Sequence, residues 1–461
     1  MFDELKEECG IFGISLKEPS DSIMYNMYMG LFSLQHRGQE SSGVAYLDDN
    51  ANIQVVKSNG LVAENLLPQL HLDYPSASAI GHVRYSTTGA ASLVNAQPLL
   101  FKCNKGEVAI AHNGQLPNYD VLKEELIANG AIFQTSSDSE ILIHLMSNIP
   151  GNDFEASLIS SIKKLDGAFS MLVMGDKNKI AAFKDPYGFR PLAYGKLEDK
   201  GYVFSSETAA LDVLGATDIN FLEPGELIIC ENGEIKQKLH YSDKKKTSQC
   251  VFELIYFARP DSSIFFESVY QFRFNSGRML AKNRKKDTDI VISVPDSGNI
   301  AALGFSRESG IPFDLGLMRN HYAGRTFIKT SQKQREEGVK LKLNPVKSVV
   351  EGKTISIVDD SIVRGTTSKK IIKMLREAGA KEIHMYLSSP EVLGCCYYGI
   401  NTPTTEELIS TSHTPEQIAQ IIGADTVTFL RLEDLKTSLK APDSFCYACF
   451  DKNYPIEKIT K

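Results

Sequence analysis

Hydrophobic positions follow two different rhythms along this chain. Up to about residue 240 they come in short runs broken by Gly and Asn turns, as at 9–14, 43–46 and 168–174, and these read as many short strands. Helical spacing appears at 118–129 and 139–146. This pattern predicts two antiparallel sheets packed face to face with helices outside. Glu223-Pro224-Gly225-Glu226 marks a late turn, and the polar run Ser242-Asp243-Lys244-Lys245-Lys246-Thr247 reads as a linker. Beyond it the rhythm changes to strands alternating with helices, as expected of a parallel sheet. Strands are predicted at 291–294, 354–358, 383–387 and 426–430, and helices at 366–378, 406–410 and 415–422. In the first of these helices Ile371, Ile372, Met374 and Leu375 share one face.

Length and composition support this division. The chain has 461 residues, enough for two or three domains, and 42% hydrophobic content, enough for full cores. The boundaries read as 1–8, a short acidic leader; 9–241, the first domain; 242–248, the linker; and 249–461, the second domain. There is no hydrophobic signal sequence and no apolar stretch of membrane length, so the expected setting is cytoplasmic, with no membrane partner. A formal net charge of −7 argues against a nucleic-acid partner.

Cys9 carries the first chemical signal. It lies just after the acidic leader Met1–Glu8, in Glu8-Cys9-Gly10-Ile11-Phe12-Gly13, a layout that suggests a leader clipped to expose Cys9 as a new N-terminus. Such a residue holds a nucleophilic thiol and, in its α-amine (pKa about 7.7–8.0), a base titrating near the working pH. Three further blocks follow: Leu34-Gln35-His36-Arg37-Gly38-Gln39-Glu40; Gly81-His82-Val83-Arg84-Tyr85-Ser86-Thr87; and Ala111-His112-Asn113-Gly114 with Ser136-Ser137-Asp138. Arg84 suits a carboxylate through two parallel hydrogen bonds, and Asp138 suits an ammonium. Asn113 can offer a side-chain N–H and Gly114 an unshielded backbone N–H to an oxyanion. His36, His82 and His112 read as structural.

In order and separation these blocks resemble the glutaminase domain of the N-terminal-nucleophile amidotransferases, over roughly residues 9–240. The resemblance implies an α+β, αββα sandwich. It makes Cys9, Asn113 and Gly114 the catalytic set and Arg84 and Asp138 the glutamine-binding pair.

The second domain has its own signature at 354–368. A buried-strand run, Thr354-Ile355-Ser356-Ile357-Val358, ends in Asp359-Asp360, and Ser361-Ile362-Val363-Arg364-Gly365-Thr366-Thr367-Ser368 leads into a helix. A helix N-terminus with small hydroxyl residues is a ready anion site, and ligands of open α/β sheets bind beyond the carboxyl ends of the strands. Val291-Ile292-Ser293-Val294 followed by Pro295-Asp296-Ser297-Gly298 repeats the logic. The segment resembles the phosphoribosylpyrophosphate (PRPP) motif of type I phosphoribosyltransferases. By that resemblance Asp359 and Asp360 hold the ribose hydroxyls and Mg²⁺, Ser297 contributes to the metal site, and Arg364, Gly365, Thr366, Thr367 and Ser368 cradle the 5′-phosphate. Between Arg325 and Lys347 there are seven Lys/Arg against two Glu. This stretch, within 319–347 and including Thr326, Ser331 and Gln332, is expected to be a lid over the polyanionic substrate.

Eight cysteines complete the inventory. A cytoplasmic setting disfavours structural disulfides. Cys446-x-x-Cys449 is a metal-type spacing, and with Cys250 and one of Cys395 or Cys396 it provides four thiolates, suited to either a [4Fe–4S] cluster or zinc. Cys103 and Cys230 read as ordinary buried small residues. The two signatures together resemble the glutamine PRPP amidotransferases. One branch of that family carries a short propeptide and a [4Fe–4S] cluster. Its third ligand precedes an aromatic-Tyr-Gly stretch, which selects Cys396, with Cys395 the alternative. The resemblance implies ammonia transfer from glutamine to C1 of PRPP, purine nucleotides as feedback inhibitors, and a homo-oligomer, often a tetramer. Two rivals stand beside it: an amidotransferase of the same nucleophile class with another acceptor, and a non-catalytic PRPP sensor.

Overall fold

The computed structural model describes residues 9–85, 92–175, 177–243, 246–320 and 342–456. The leader Met1–Glu8, Ser86 and Thr87, Lys244 and Lys245 of the linker, and Arg325, Thr326, Ser331 and Gln332 of the basic stretch lie outside these residues.

Two antiparallel sheets form the first domain. The seven-stranded sheet runs, in spatial order, Thr217–Phe221, Ala193–Leu197, Gly201–Ser205, Gly10–Ser20, Ser76–Arg84, Ser41–Leu47 and Ile53–Asn59. The six-stranded sheet runs Glu234–His240, Glu226–Glu231, Lys179–Lys184, Ala168–Gly175, Gly106–Gln115 and Leu99–Cys103. Their facing surfaces share one apolar layer containing Ile11, Ile80, Ala109, Ala111, Leu172 and Phe204. Helix Ile23–Ser33 covers the outer face of the larger sheet through Met24, Met27 and Leu31 on Phe12 and Val83. Helices Tyr119–Ala128, Glu140–Ser147 and Phe154–Ile162 cover the other through Leu122, Leu142 and Leu158 on Ile110, Met171 and Val173. This is the αββα sandwich expected. Both faces of the central strands are buried, so alternation survives as size rather than polarity: Val108 and Ile110 face the helices, Ala109 and Ala111 the opposite sheet.

The second domain is built on four parallel strands, Ile290–Ser293, Thr354–Asp359, Glu382–Leu387 and Thr426–Phe429, in that order across the sheet. Helices Val269–Lys282 and Asn299–Ser309 pack on one face, Thr366–Glu377 and Pro415–Ile422 on the other. The predicted helix over 406–410 is instead two 3₁₀ turns, Thr405–Glu407 and Ile409–Thr411. Leu408 between them is extended (φ −75°, ψ 113°), which ends the first turn after its Thr404–Glu407 capping box. Leu317–Arg319 and Leu343–Pro345 pair antiparallel, so the basic stretch leaves from and returns to a two-stranded ribbon. The tail is tied back where Phe445–Cys446 pairs in parallel with Gln249–Cys250.

Helices Val269–Lys282 and Asn299–Ser309 cross at two glycines. A Cβ on Gly277 would lie 1.9 Å from the Ala301 carbonyl oxygen, and one on Gly304 would lie 2.0 Å from that of Phe274. In an open helix Gly→Ala stabilises by about 1 kcal/mol. Here Gly277→Ala is expected to destabilise by about 1–3 kcal/mol through overpacking, a change of sign readable by denaturant unfolding.

Candidate active site

Cys9 stands at the head of the central strand of the larger sheet. Gly10 pairs with Val83 and Ile11 with His82, which brings Cys9 level with the end of Ser76–Arg84. There the Tyr85 N–H donates to Cys9 Sγ at 3.5 Å, and Sγ lies 3.4 Å from the Tyr85 carbonyl oxygen. Arg37 Nε donates to the Cys9 carbonyl at 3.1 Å. The turn carrying Arg37 sits against the same strand end, where a Cβ on Gly38 would approach the Arg84 backbone to 2.6 Å. Arg84 itself is buried, with Nη1 3.9 Å from Glu40 Oε2.

Asn113 and Gly114 come from the opposite sheet, on Gly106–Gln115. His82 joins the sheets by bonding through Nε2 to the His112 carbonyl oxygen at 3.0 Å. Burial pulls the His82 ring down to about 3, so it is neutral and holds its place as a plain donor. The Asn113 side chain is fully buried, and neither Oδ1 nor Nδ2 has a hydrogen-bond partner among the described residues. An orphaned buried amide costs about 1–3 kcal/mol, and a catalytic role is one of the few reasons a fold retains such a group. Gly114 has φ +142°, and a Cβ there would lie 1.9 Å from the Ala168 carbonyl oxygen, so no side chain can cover this stretch. Asp138 is tied alongside: Oδ2 accepts from the Leu116 N–H at 3.0 Å, and Oδ1 lies 3.5 Å from His112 Nδ1.

In the second domain Asp359 ends its strand, and Asp360 follows with its N–H bonded to Asp359 Oδ1 at 2.9 Å. Burial pushes the Asp360 carboxyl up, while hydroxyls of Ser297 and Ser361 and the nearby Arg273 favour its charge. Ser297 thus meets Asp360 across neighbouring strands. The approach is close, with a Cβ on Gly298 lying 2.4 Å from the Val358 carbonyl oxygen. Gly365 is left-handed (φ +80°) and starts helix Thr366–Glu377, in which Ser368 is buried. Arg364 Nη2 bonds to Glu407 Oε1 at 3.0 Å, while its Nε is buried with no partner among the described residues. Asp359, Asp360 and the loop 364–368 therefore gather at one end of the sheet, where oxygen ligands and backbone N–H groups suit a hard cation and a phosphate.

The cysteines fall into two groups. Cys250 and Cys446 are paired neighbours, and the half-buried Cys449 lies near enough to feel the charges of Cys446, Cys250 and Cys396. Cys395 turns away, its Sγ 3.2 Å from the Pro403 carbonyl oxygen and 3.3 Å from Thr405 Oγ1. Burial pushes the Cys446 thiol up to about 12. Among the described residues no three His, Cys, Asp or Glu side chains converge as a site for one metal ion. A cubane makes a different demand, because its four thiolates bind four separate irons. Cys230 is buried as expected, but Cys103 is only half-buried at the end of an edge strand.

Several site residues carried no recognisable signal. Gln97 Oε1 accepts from the His112 N–H at 2.7 Å, and its Nε2 donates to Ser139 Oγ at 3.1 Å, bracing the Asn113 strand against Asp138. Arg37 lies inside a recognised block, but its partners Glu207 and Glu253 are 170 and 216 residues away and belong to no motif.

A cysteine-headed αββα sandwich followed by a phosphoribosyltransferase-type sheet defines a glutamine-dependent transferase with two centres. A glutamine amidotransferase domain family matches residues 82–213. The chain is 46% identical to amidophosphoribosyltransferase 1, chloroplastic, of Arabidopsis thaliana, covering 98% of this chain and 79% of that one. It is 46% identical to amidophosphoribosyltransferase of Bacillus subtilis, covering 98% and 95%. The solved B. subtilis glutamine PRPP amidotransferase, complexed with ADP and GMP, superposes with a TM-score of 0.91 at 44% identity, over 98% of each chain. The chain belongs to the amidophosphoribosyltransferase family. It is a glutamine-dependent phosphoribosyltransferase of the first step of purine biosynthesis.

Asn113→Ala is expected to lower kcat for glutamine hydrolysis about 100-fold or more while leaving KM for glutamine little changed, as loss of a transition-state donor does. Steady-state glutamate release checks this.

Proposed function

We propose that Cys9, freed by removal of residues 1–8, attacks the side-chain amide of glutamine held by Arg84 and Asp138. The Cys9 α-amine takes the thiol proton and delivers it to the departing ammonia. Water then cleaves the thioester, giving glutamate. In both tetrahedral intermediates the oxygen takes its hydrogen bonds from Asn113 Nδ2 and the Gly114 N–H. The observation that carries this reading is the Asn113 amide, wholly buried yet without a partner among the described residues. Ammonia passes within the protein to the second centre and displaces pyrophosphate from C1 of PRPP, giving 5-phosphoribosylamine.

At that centre Arg364, Gly365, Thr366, Thr367 and Ser368 bind the 5′-phosphate, and Asp359 and Asp360 orient the ribose hydroxyls. Asp359, Asp360 and Ser297 would hold Mg²⁺, whose positive charge would stabilise the pyrophosphate leaving group. A [4Fe–4S] cluster on Cys250, Cys396, Cys446 and Cys449 has a structural role, pinning the tail to the domain. The mutual approach of these four residues, with Cys395 turned aside, supports that ligand set. The ADP and GMP bound by the B. subtilis enzyme support feedback inhibition by purine nucleotides here. No helix among the described residues is long and apolar enough to cross a membrane. A cytoplasmic homotetramer remains our reading.

Cys9→Ala is expected to abolish glutamine use yet leave synthesis from free ammonia. Asp359→Asn with Asp360→Asn should do the reverse, sparing basal glutaminase. Normal glutamine use by Cys9→Ala would reject the nucleophile. Protein purified without oxygen should be brown and contain iron and acid-labile sulfide, both lost in Cys449→Ser. Zinc without iron would reject the cluster. Glutamate release should rise strongly with PRPP and Mg²⁺ and match pyrophosphate release. Indifference to PRPP would redirect the search to another acceptor.

A further inference from the structure

A chain of buried charges crosses from the glutamine site into the second domain. Arg37, on the turn beside Cys9, is 1% exposed and spends each nitrogen on a different partner. Nε holds the Cys9 carbonyl at 3.1 Å, Nη1 holds Glu207 Oε1 at 2.7 Å, and Nη2 holds Glu253 Oε1 at 2.8 Å. Glu207 belongs to the first domain. Despite a burial penalty, His36 and Arg37 hold its carboxyl well below the usual range, so it stays charged. Its other oxygen accepts from the Arg259 N–H at 2.9 Å and from Ser262 Oγ at 2.7 Å, both in the second domain. Glu253 lies just past the linker, at the start of the π-helical turn Glu253–Phe257, a local irregularity common at functional sites. Glu253 Oε1 also lies 3.4 Å from Arg190 Nη1, and Arg190 Nη2 donates to the Tyr398 carbonyl.

Two guanidiniums thus meet one second-domain carboxylate out of reach of water, and one of them holds the backbone of the reacting residue. Arg37 has no rotamer freedom left, because each arm of its planar fork is fixed. Where Glu253 sits, Arg37 sits, and so does the Cys9 carbonyl. Removing the Glu253 charge would leave Arg37 and Arg190 facing each other and push the Arg37 fork off the Cys9 carbonyl.

We propose that Glu253 is a positioning residue for the glutaminase, supplied by the second domain: through Arg37 it sets the Cys9 backbone, so the glutamine site is complete only when the two domains are docked. This rests on the assignment of Cys9 as nucleophile. The chain of hydrogen bonds ends on the backbone of Cys9, the reacting residue, so the effect falls on kcat and not on KM.

The test uses full-length protein with Glu253→Gln, a substitution that keeps volume and removes charge. The expected result is a fall of about 100-fold in kcat for glutamine hydrolysis, with KM for glutamine within about threefold and ammonia-dependent synthesis within about threefold of the parent. Arg37→Lys, which keeps the buried positive charge but loses the fork, should show the same split. An unchanged kcat in Glu253→Gln would overturn the inference. So would glutamine- and ammonia-dependent rates falling together with the melting temperature, or failure of both variants to fold, since each would make the network purely structural. Cys9→Ala, measured alongside, separates the two ideas. If it still hydrolyses glutamine, the nucleophile assignment has failed. If it does not, and Glu253→Gln is normal, only the positioning role has failed.

Discussion

The pairing of Gly10–Ser20 with Ser76–Arg84 is the constraint on which the glutamine site depends. A strand register cannot slip by one residue without turning every side chain to the opposite face, and here both faces are packed. Phe12 is committed to the outer helix layer and Ile11 to the layer between the sheets. With those two fixed, Cys9 must emerge beside Tyr85, and Arg84 must end its strand within reach of the same space. The strands Gly106–Gln115 and Ala168–Gly175 set Asn113 and Gly114 by the same logic from the facing sheet. Cys9, Asn113 and Gly114, the proposed nucleophile and oxyanion donors, thus come from two rigid sheets and not from loops, which favours fixed geometry over adaptability.

The two centres meet the problem of binding anions differently. In the first domain the proposed receiving groups are the buried Asn113 amide, which has no partner among the described residues, and the Gly114 backbone N–H beside it. In the second domain they are backbone and hydroxyl groups at a helix start, with the carboxylates of Asp359 and Asp360 close by, the proposed holders of a cation. The difference suits the ligands. An oxyanion that exists only during reaction is served by donors already in place. A polyphosphate arrives with its full charge and needs a counter-ion as well as hydrogen bonds.

Much of this was legible in the sequence, and the reasons differ by element. The strand Thr354–Asp359 announced itself because Ile355, Ile357 and Val358, interrupted only by the small Ser356, form a buried run that ends directly in two carboxylates. Helix Thr366–Glu377 was legible from one apolar stripe, Ile371, Ile372, Met374 and Leu375, all buried. In the sandwich, polar alternation is absent because no face of the central strands meets water. Only the Ala109/Ala111 against Val108/Ile110 size pattern remained, and Gly and Asn turns had to carry the prediction. Spacing could not decide between Cys395 and Cys396, because adjacent residues differ only in direction; the bonds of Cys395 to Pro403 and Thr405 record that direction. Glu207 and Glu253 were invisible for another reason. A hydrogen bond spanning 170 or 216 residues leaves no local period to read.

The tail closure has a consequence for synthesis on the ribosome. Gln249–Cys250 pairs with Phe445–Cys446, so its partner is made only after nearly all of the second domain. At 5–20 residues per second that is a wait of about 10–40 s. The first domain can pack its sandwich during this interval. Glu253 leaves the ribosome soon after that sandwich is complete and can reach Arg37 early, whereas Tyr398, the far end of the buried chain of charges, comes much later. The nascent protein can therefore pass through a stage in which its amino-terminal sandwich is packed and its carboxyl-terminal half waits, open at one edge, for the Phe445–Cys446 segment.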